Sequence, residues 1–205
     1  MKELDLTNNY ENNLSFRIIE AAKKLFMENG FKGTTTKMIA EEAGVNEATI
    51  FRHFKTKEGI FVEISKEITE YSHKKLEKIM ESDLPPEEMF FQFGMGLYSL
   101  IVESKGILIM AIIESRRRSD LVHNVTQTLA TTISILEKKL VALWQAGKLQ
   151  EGDFYTASLI YVESLIGLFI VQNRLAGEMI PIEIERLCRS TSKILLYGMS
   201  KDKVN

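Results

Sequence analysis

The chain has one cysteine, Cys188, among 205 residues. That excludes an internal disulfide and any zinc cluster built from cysteines. The three histidines, His53, His73 and His123, are too scattered to suggest a metal site. No metal and no cofactor is expected. Proline is scarce, with three residues, and period-two runs of β-branched residues are missing, which argues against a sheet protein. Long hydrophobic runs are lacking too: the greasiest stretches, around 107–113 and 164–171, fall well short of a membrane span. The start, Met1-Lys2-Glu3-Leu4-Asp5, carries acid and has no apolar h-region, so it does not read as a signal peptide. The expectation is a cytoplasmic protein with no membrane partner. No nucleophile, base or metal constellation stands out beyond isolated carboxylates, so an enzyme is not expected.

What is present is an ordinary globular composition, 45% hydrophobic and 26% charged. Apolar residues recur at three- and four-residue spacing almost throughout, which predicts an all-α fold. The polar, Asn-rich residues 1–13 read as a flexible arm. Helices are expected near 14–29, 36–43, 47–53 and 57–81, with Gly30 ending the first and Phe31 packing back on it. Thr34, Thr35 and Thr36 offer hydroxyls to cap the second helix. Pro85-Pro86 breaks the chain, and further helices follow near 86–103, 106–116, 119–146, 153–174 and 181–199. The composition shifts near residue 56. This divides the chain into the arm 1–13, a small helical domain 14–56 and a longer, more apolar domain 57–205.

The net charge of −2 does not exclude nucleic acid, because the local field decides. Residues 14–60 carry eight Lys and Arg against six Asp and Glu, and Arg52, His53, Lys55 and Lys57 fall within six residues. Just before them, Ile39 to Phe54 have the spacing of a helix-turn-helix. Ala40 is small enough for close helix contact, and Gly44 can take positive φ in the turn. Ile39, Ala43, Val45 and Ile50 occupy the inward positions. Asn46 is a good N-cap for the next helix, whose outward face offers Glu47, Ala48, Thr49 and Arg52 to a major groove.

The run Gly44-Val45-Asn46-Glu47-Ala48-Thr49-Ile50-Phe51-Arg52-His53-Phe54-Lys55-Thr56-Lys57-Glu58-Gly59-Ile60 resembles the signature of the TetR/AcrR family. The likeness reaches back through Ala21–Phe26, Asn29-Gly30-Phe31 and Thr34–Ala40. It implies a helix-turn-helix domain followed by a helical ligand-binding and dimerisation domain. The implied function is a transcriptional regulator, a repressor released from palindromic double-stranded operator DNA by a small molecule. The alternative is an activator of the same fold, or a regulator controlled by a protein partner. By resemblance, Thr35 caps the second helix and touches phosphate, Thr49, Phe51 and His53 face the backbone or groove, and Lys57 contacts phosphate. Lys37 and Asn46 join the expected DNA-binding set. Three positions depart from the family pattern. Phe51 stands where Tyr is usual and loses a phosphate hydroxyl contact. Glu47 stands where Lys or Arg is common, to accept from cytosine N4 or to repel phosphate. Met38 stands where an acid often completes a capping box with Thr35.

In the second domain the helix near 153–174 is apolar nearly all round and must be buried on more than one side. With the last helix, and as the family implies, it is expected to form a homodimer interface through Ile166, Phe169, Ile170, Leu187, Thr191 and Leu195. Small residues Ala157, Ser164 and Gly167 permit close contact. Phe93, Tyr98, Met110, Trp144 and Tyr161 suit a largely apolar small-molecule effector of unknown identity, or serve as ordinary core. Glu114 and Glu163 either orient a cationic or hydroxylated ligand, or face solvent or pair within the protein. Arg116-Arg117-Arg118 reads as a solvated face or an acid-binding head. The helix from Lys57 is expected to act as a lever between the domains.

Overall fold

The computed structural model describes the backbone of residues 2–106, 108–109, 119–172 and 182–198, and the side chains of 14–106, 108–109, 126–172 and 182–198. Met110, Glu114, Arg116–Arg118 and most of the helix expected at 106–116 lie outside the described residues. The described elements are helices: α1 Lys2–Gly33, α2 Thr36–Ala43, α3 Glu47–Phe54, α4 Lys57–Met80, α5 Pro86–Glu103, α6 Ser119–Gln145, α7 Phe154–Ile170 and α8 Ile184–Gly198. The first starts at Lys2 instead of near residue 14, because no proline or glycine before Gly30 interrupts it. At Gly30 it is broken by a positive φ of 70° with ψ 170°. The chain divides into two compact units, Met1–Ile68 with Gly106–Val125, and Thr69–Lys105 with Thr126–Asn205. α4 runs unbroken through the boundary.

The first unit is built on one stripe of α1. Leu14, Ile18, Ala22, Leu25 and Phe26 recur at helical spacing and are buried. From Ile18 on they share a core with Ile39 and Ala43 of α2, Ile50 of α3, and Ile60, Phe61 and Ile64 of α4. Phe31 folds back after the break at Gly30. Its ring lies 5.3 Å from Phe26 and 5.7 Å from Phe61. Thr34 is fully buried, and its hydroxyl reaches the carbonyls of Leu25 (3.0 Å) and Gly30 (2.9 Å). It closes the end of α1 and does not cap α2.

In the second unit α5 packs against α7 and α8, which also pack on each other. Pro86 sits in the first turn of α5, where its missing N–H costs nothing. Gly94 is the point of closest approach: a Cβ there would stand 2.5 Å from Tyr161 Oη and 2.9 Å from Cys188 Sγ. The Tyr161 hydroxyl donates to Phe90 O at 2.6 Å and lies 3.2 Å from Ser192 Oγ. Its ring stacks obliquely on Phe93, 6.3 Å away. Burial raises the Tyr161 phenol above its ordinary range and pushes the Cys188 thiol up to about 12. Phe93 and Tyr161 are thus buried in this unit, the ordinary-core alternative of the sequence reading. Trp144 is half-buried against Phe154, 5.9 Å between rings. The Tyr98 hydroxyl donates to Gln172 (2.7 Å), whose amide donates to Ile182 O (3.1 Å), so it ties α5 to the end of α7 and the approach to α8. Glu163 is exposed on α7, the solvent-facing alternative of the sequence reading.

Two interface candidates also need correction. Phe169 is 1% exposed and Leu195 is buried, both inside their own unit. Ile166, Ile170, Leu187 and Thr191 are half-buried. The large uncovered apolar side chains of these helices are Tyr155 and Ile160 (64% exposed) on α7, and Ile194 (72%) and Tyr197 on α8.

A polar seam joins α4 to α6. Thr69 Oγ1 lies 2.9 Å from Thr128 Oγ1, and His73 Nε2 lies 3.2 Å from Thr128 O and 3.3 Å from Thr132 Oγ1. Burial lowers the His73 pKa from 6.5, against opposing contributions from Thr128 O and Glu77. Charging this imidazole is therefore harder in the folded protein than in the unfolded chain. As pH falls through 6.5 the unfolded chain binds more protons, and stability falls with it. A urea denaturation series from pH 8 to 5 is expected to show this loss. His73→Gln is expected to flatten the dependence, and an unchanged pH profile in that variant contradicts the assignment.

Candidate nucleic-acid interface

The helix pair is set by its ends. Thr35 is the N-cap of α2, and its Oγ1 accepts from Met38 N at 3.2 Å. Met38 supplies only that backbone donor to the cap, and its side chain packs on the core. Gly44 ends α2 in the left-handed conformation, φ 63° and ψ 42°. Its N–H donates to Glu41 O (3.2 Å) and the Val45 N–H donates to Ala40 O (2.9 Å), the paired bonds of a Schellman motif. Arg17 of α1 seals this end by donating to Ala43 O and to Gly44 O (3.2 Å). A cation there also favours the negative end of the α2 dipole. Asn46 then caps α3, its Oδ1 accepting from Ala48 N at 2.9 Å. Ile50 is fully buried, so the rotation of α3 about its axis is fixed.

That rotation decides what faces outward. Ala48, Phe51 and Arg52 are exposed, Phe51 at 50%. Thr49, Glu47 and His53 are half-buried. Arg52 Nη2 lies 3.2 Å from His53 Nε2. His53 Nδ1 is 3.5 Å from Ser15 Oγ, which brings α3 to the start of the α1 core stripe. Thr35 and Lys37 are exposed in the first turn of α2. Thr36 Oγ1 donates to Glu47 Oε1 at 2.7 Å, so the beginnings of α2 and α3 are neighbours. Thr35, Lys37, Asn46, Glu47, Ala48, Thr49, Phe51, Arg52 and His53 are therefore gathered on one small unit.

Lys57 has partners within its own unit. Its ammonium donates to Phe31 O and Thr34 O, both at 2.6 Å, and lies 4.3 Å from the centre of the Phe31 ring. It ties the start of α4 to the turn after α1. Arg17 is the residue that sequence reasoning missed. It lies 26 residues from Ala43, and only its place on the α1 face beside Gly44 gives it a role.

A family model for bacterial regulatory proteins of the tetR family matches residues 18–64. Over 186 residues the chain is 28% identical to the uncharacterized HTH-type transcriptional regulator YvkB of Bacillus subtilis, covering 91% of this chain and 97% of that one. Residues 18–64 carry a DNA-binding domain of the tetR family, and the chain is similar to regulators of that family along most of its length. It is also 28% identical over 138 residues to the fatty acid metabolism regulator protein of Bacillus subtilis, 66% of this chain and 71% of that one. Among solved structures, FadR from Bacillus subtilis in complex with stearoyl-CoA superposes with a TM-score of 0.70 at 23% identity, covering 90% of this chain and 98% of that one. At that identity the likeness shows the fold alone. The chain is a transcriptional regulator with a DNA-binding helix-turn-helix, and its relatives are regulators, not enzymes. Among the described residues no helix is long and apolar enough to cross a membrane.

Proposed function

We propose that the protein is a repressor that binds a palindromic operator as a homodimer and leaves it when a largely apolar ligand binds the second unit. The carrying observation is the outward face of α3: Ala48, Phe51 and Arg52 exposed on a helix that Ile50, Asn46 and the Gly44 turn hold in one rotation. A short rigid helix with an arginine, a methyl-sized residue and an aromatic ring outward suits the major groove, where arginine pairs with guanine and apolar groups meet thymine methyls. Thr35, Lys37 and the first turn of α2 supply phosphate contacts that fix position without reading sequence.

Ile160, Ile194 and Tyr197 supply the centre of the dimer face, with Ile166, Ile170, Leu187 and Thr191 around them. Large exposed apolar residues on two adjacent helices favour burial against a second copy. For the ligand, the fatty acid metabolism regulator among the relatives, with the stearoyl-CoA held by FadR of the same fold, supports an acyl thioester as the first candidate. Stearoyl-CoA is the probe. Binding couplings are reciprocal and amount to roughly 1–3 kcal/mol, so the probe is expected to weaken operator binding about five- to 150-fold. Operator is expected to weaken stearoyl-CoA binding by the same factor. Both affinities are read by titration with and without the other partner. Equal stearoyl-CoA affinity for free and DNA-bound protein contradicts release by this ligand class.

A further inference from the structure

Glu47 is the first residue of α3, and its carboxylate is already engaged: Oε1 accepts the Thr36 hydroxyl at 2.7 Å. Thr36 is the first residue of α2. Two eight-residue helices are too short to hold an angle by themselves. Inside, Ile39, Ala43 and Ile50 hold them together. At the far end of α2, Arg17 binds the last carbonyls. The Thr36–Glu47 bond closes the near end, so α2 is fastened at both termini. Glu47 is also less exposed than Ala48, Phe51 and Arg52 on the same helix. A carboxylate that reads cytosine must turn an oxygen outward to N4. Here one oxygen is turned inward to the neighbouring helix.

We infer that Glu47 is a positioning residue that locks the recognition helix to α2 through Thr36, reads no base, and lowers affinity for every duplex by placing a negative charge near phosphate. This rests on the reading of α3 as the DNA-facing helix. The two functions of the side chain separate by substitution. Glu47→Gln keeps an acceptor for Thr36 and removes the charge. Thr36→Val keeps the charge and removes the bond. Glu47→Ala removes both.

The experiment measures each protein on its selected operator and on a scrambled duplex at fixed salt, and measures hydrogen exchange of the α3 amides without DNA. Glu47→Gln is expected to bind both duplexes roughly three- to tenfold tighter, with the ratio between them unchanged. Thr36→Val and Glu47→Ala are expected to lose discrimination, and their α3 amides to exchange faster than in wild type or Glu47→Gln. A switch of preference at one base pair in Glu47→Gln, with weaker operator binding, makes Glu47 a base reader and overturns the inference. So does equal amide protection in all four proteins. Failure of the DNA-facing reading itself appears elsewhere, as wild-type protein with equal affinity for both duplexes, while the exchange comparison still decides whether the lock exists.

Discussion

Replacing Ile160 and Ile194 together by glutamate is expected to give a folded monomer that has lost its operator. Both side chains are largely exposed in the single chain, so the substitutions leave the core of the second unit untouched. In a dimer they would bury carboxylates without partners, which is strongly unfavourable. A monomer carries one recognition helix and forfeits the gain from binding two half-sites at once. Specific binding exceeds non-specific binding by 10³ or more in most such proteins, and a loss of about a thousandfold in operator affinity is the scale expected. Sedimentation gives the mass, circular dichroism the fold, and a binding titration the affinity. A dimeric double variant with wild-type affinity removes this face from the account. Phe169→Glu does not make the same test. That ring is buried in its own unit, and a charge there is expected to unfold the unit before any interface is tested.

Lys57→Met is expected to destabilise the first unit by about 2–4 kcal/mol, because two charge-assisted hydrogen bonds and a cation–π contact go at once. The carbonyls of Phe31 and Thr34 lose their shared donor, and the start of α4 loses its tie to the turn after α1. The same variant distinguishes the two roles this lysine has been given. If it neutralises an operator phosphate, the slope of log affinity against log salt falls by roughly one. If it holds the turn, the slope stays and the denaturation midpoint drops. The second outcome is expected. A lower slope with unchanged stability returns Lys57 to the phosphate-contacting set.

Most of the architecture was legible in the sequence because helices announce themselves locally. The apolar stripe of α1, the start of α5 at Pro86, and the turn residues Gly44 and Asn46 are each decided within a few positions. Contacts set by distant parts of the chain were not legible. The direction of Lys57 depends on where the carbonyls of Phe31 and Thr34 come to lie, more than twenty residues away. Glu47 looked free to read DNA because nothing in its own helix pairs with it, and Thr36 meets it only once α2 and α3 are packed. α7 posed a different difficulty. A helix apolar on nearly every side has no stripe to show which face its own unit covers. The sequence pattern alone therefore does not separate Phe169 from a partner-facing residue or Tyr161 from a ligand-facing one, and both are buried in their own unit. Ile160, the most exposed large apolar side chain of that helix, marks a face its own unit leaves uncovered.

The most direct test of the central claim is selection of bound duplexes from a randomised pool by the purified protein, with sequencing of what is retained. The expected product is an inverted repeat, two half-sites related by a two-fold axis and centred about 34–36 Å or a nearby multiple apart. Arg52→Ala is expected to change the preference at the same position in both half-sites. Retention of no preferred sequence, or of an asymmetric motif that Arg52→Ala leaves unaltered, would contradict it.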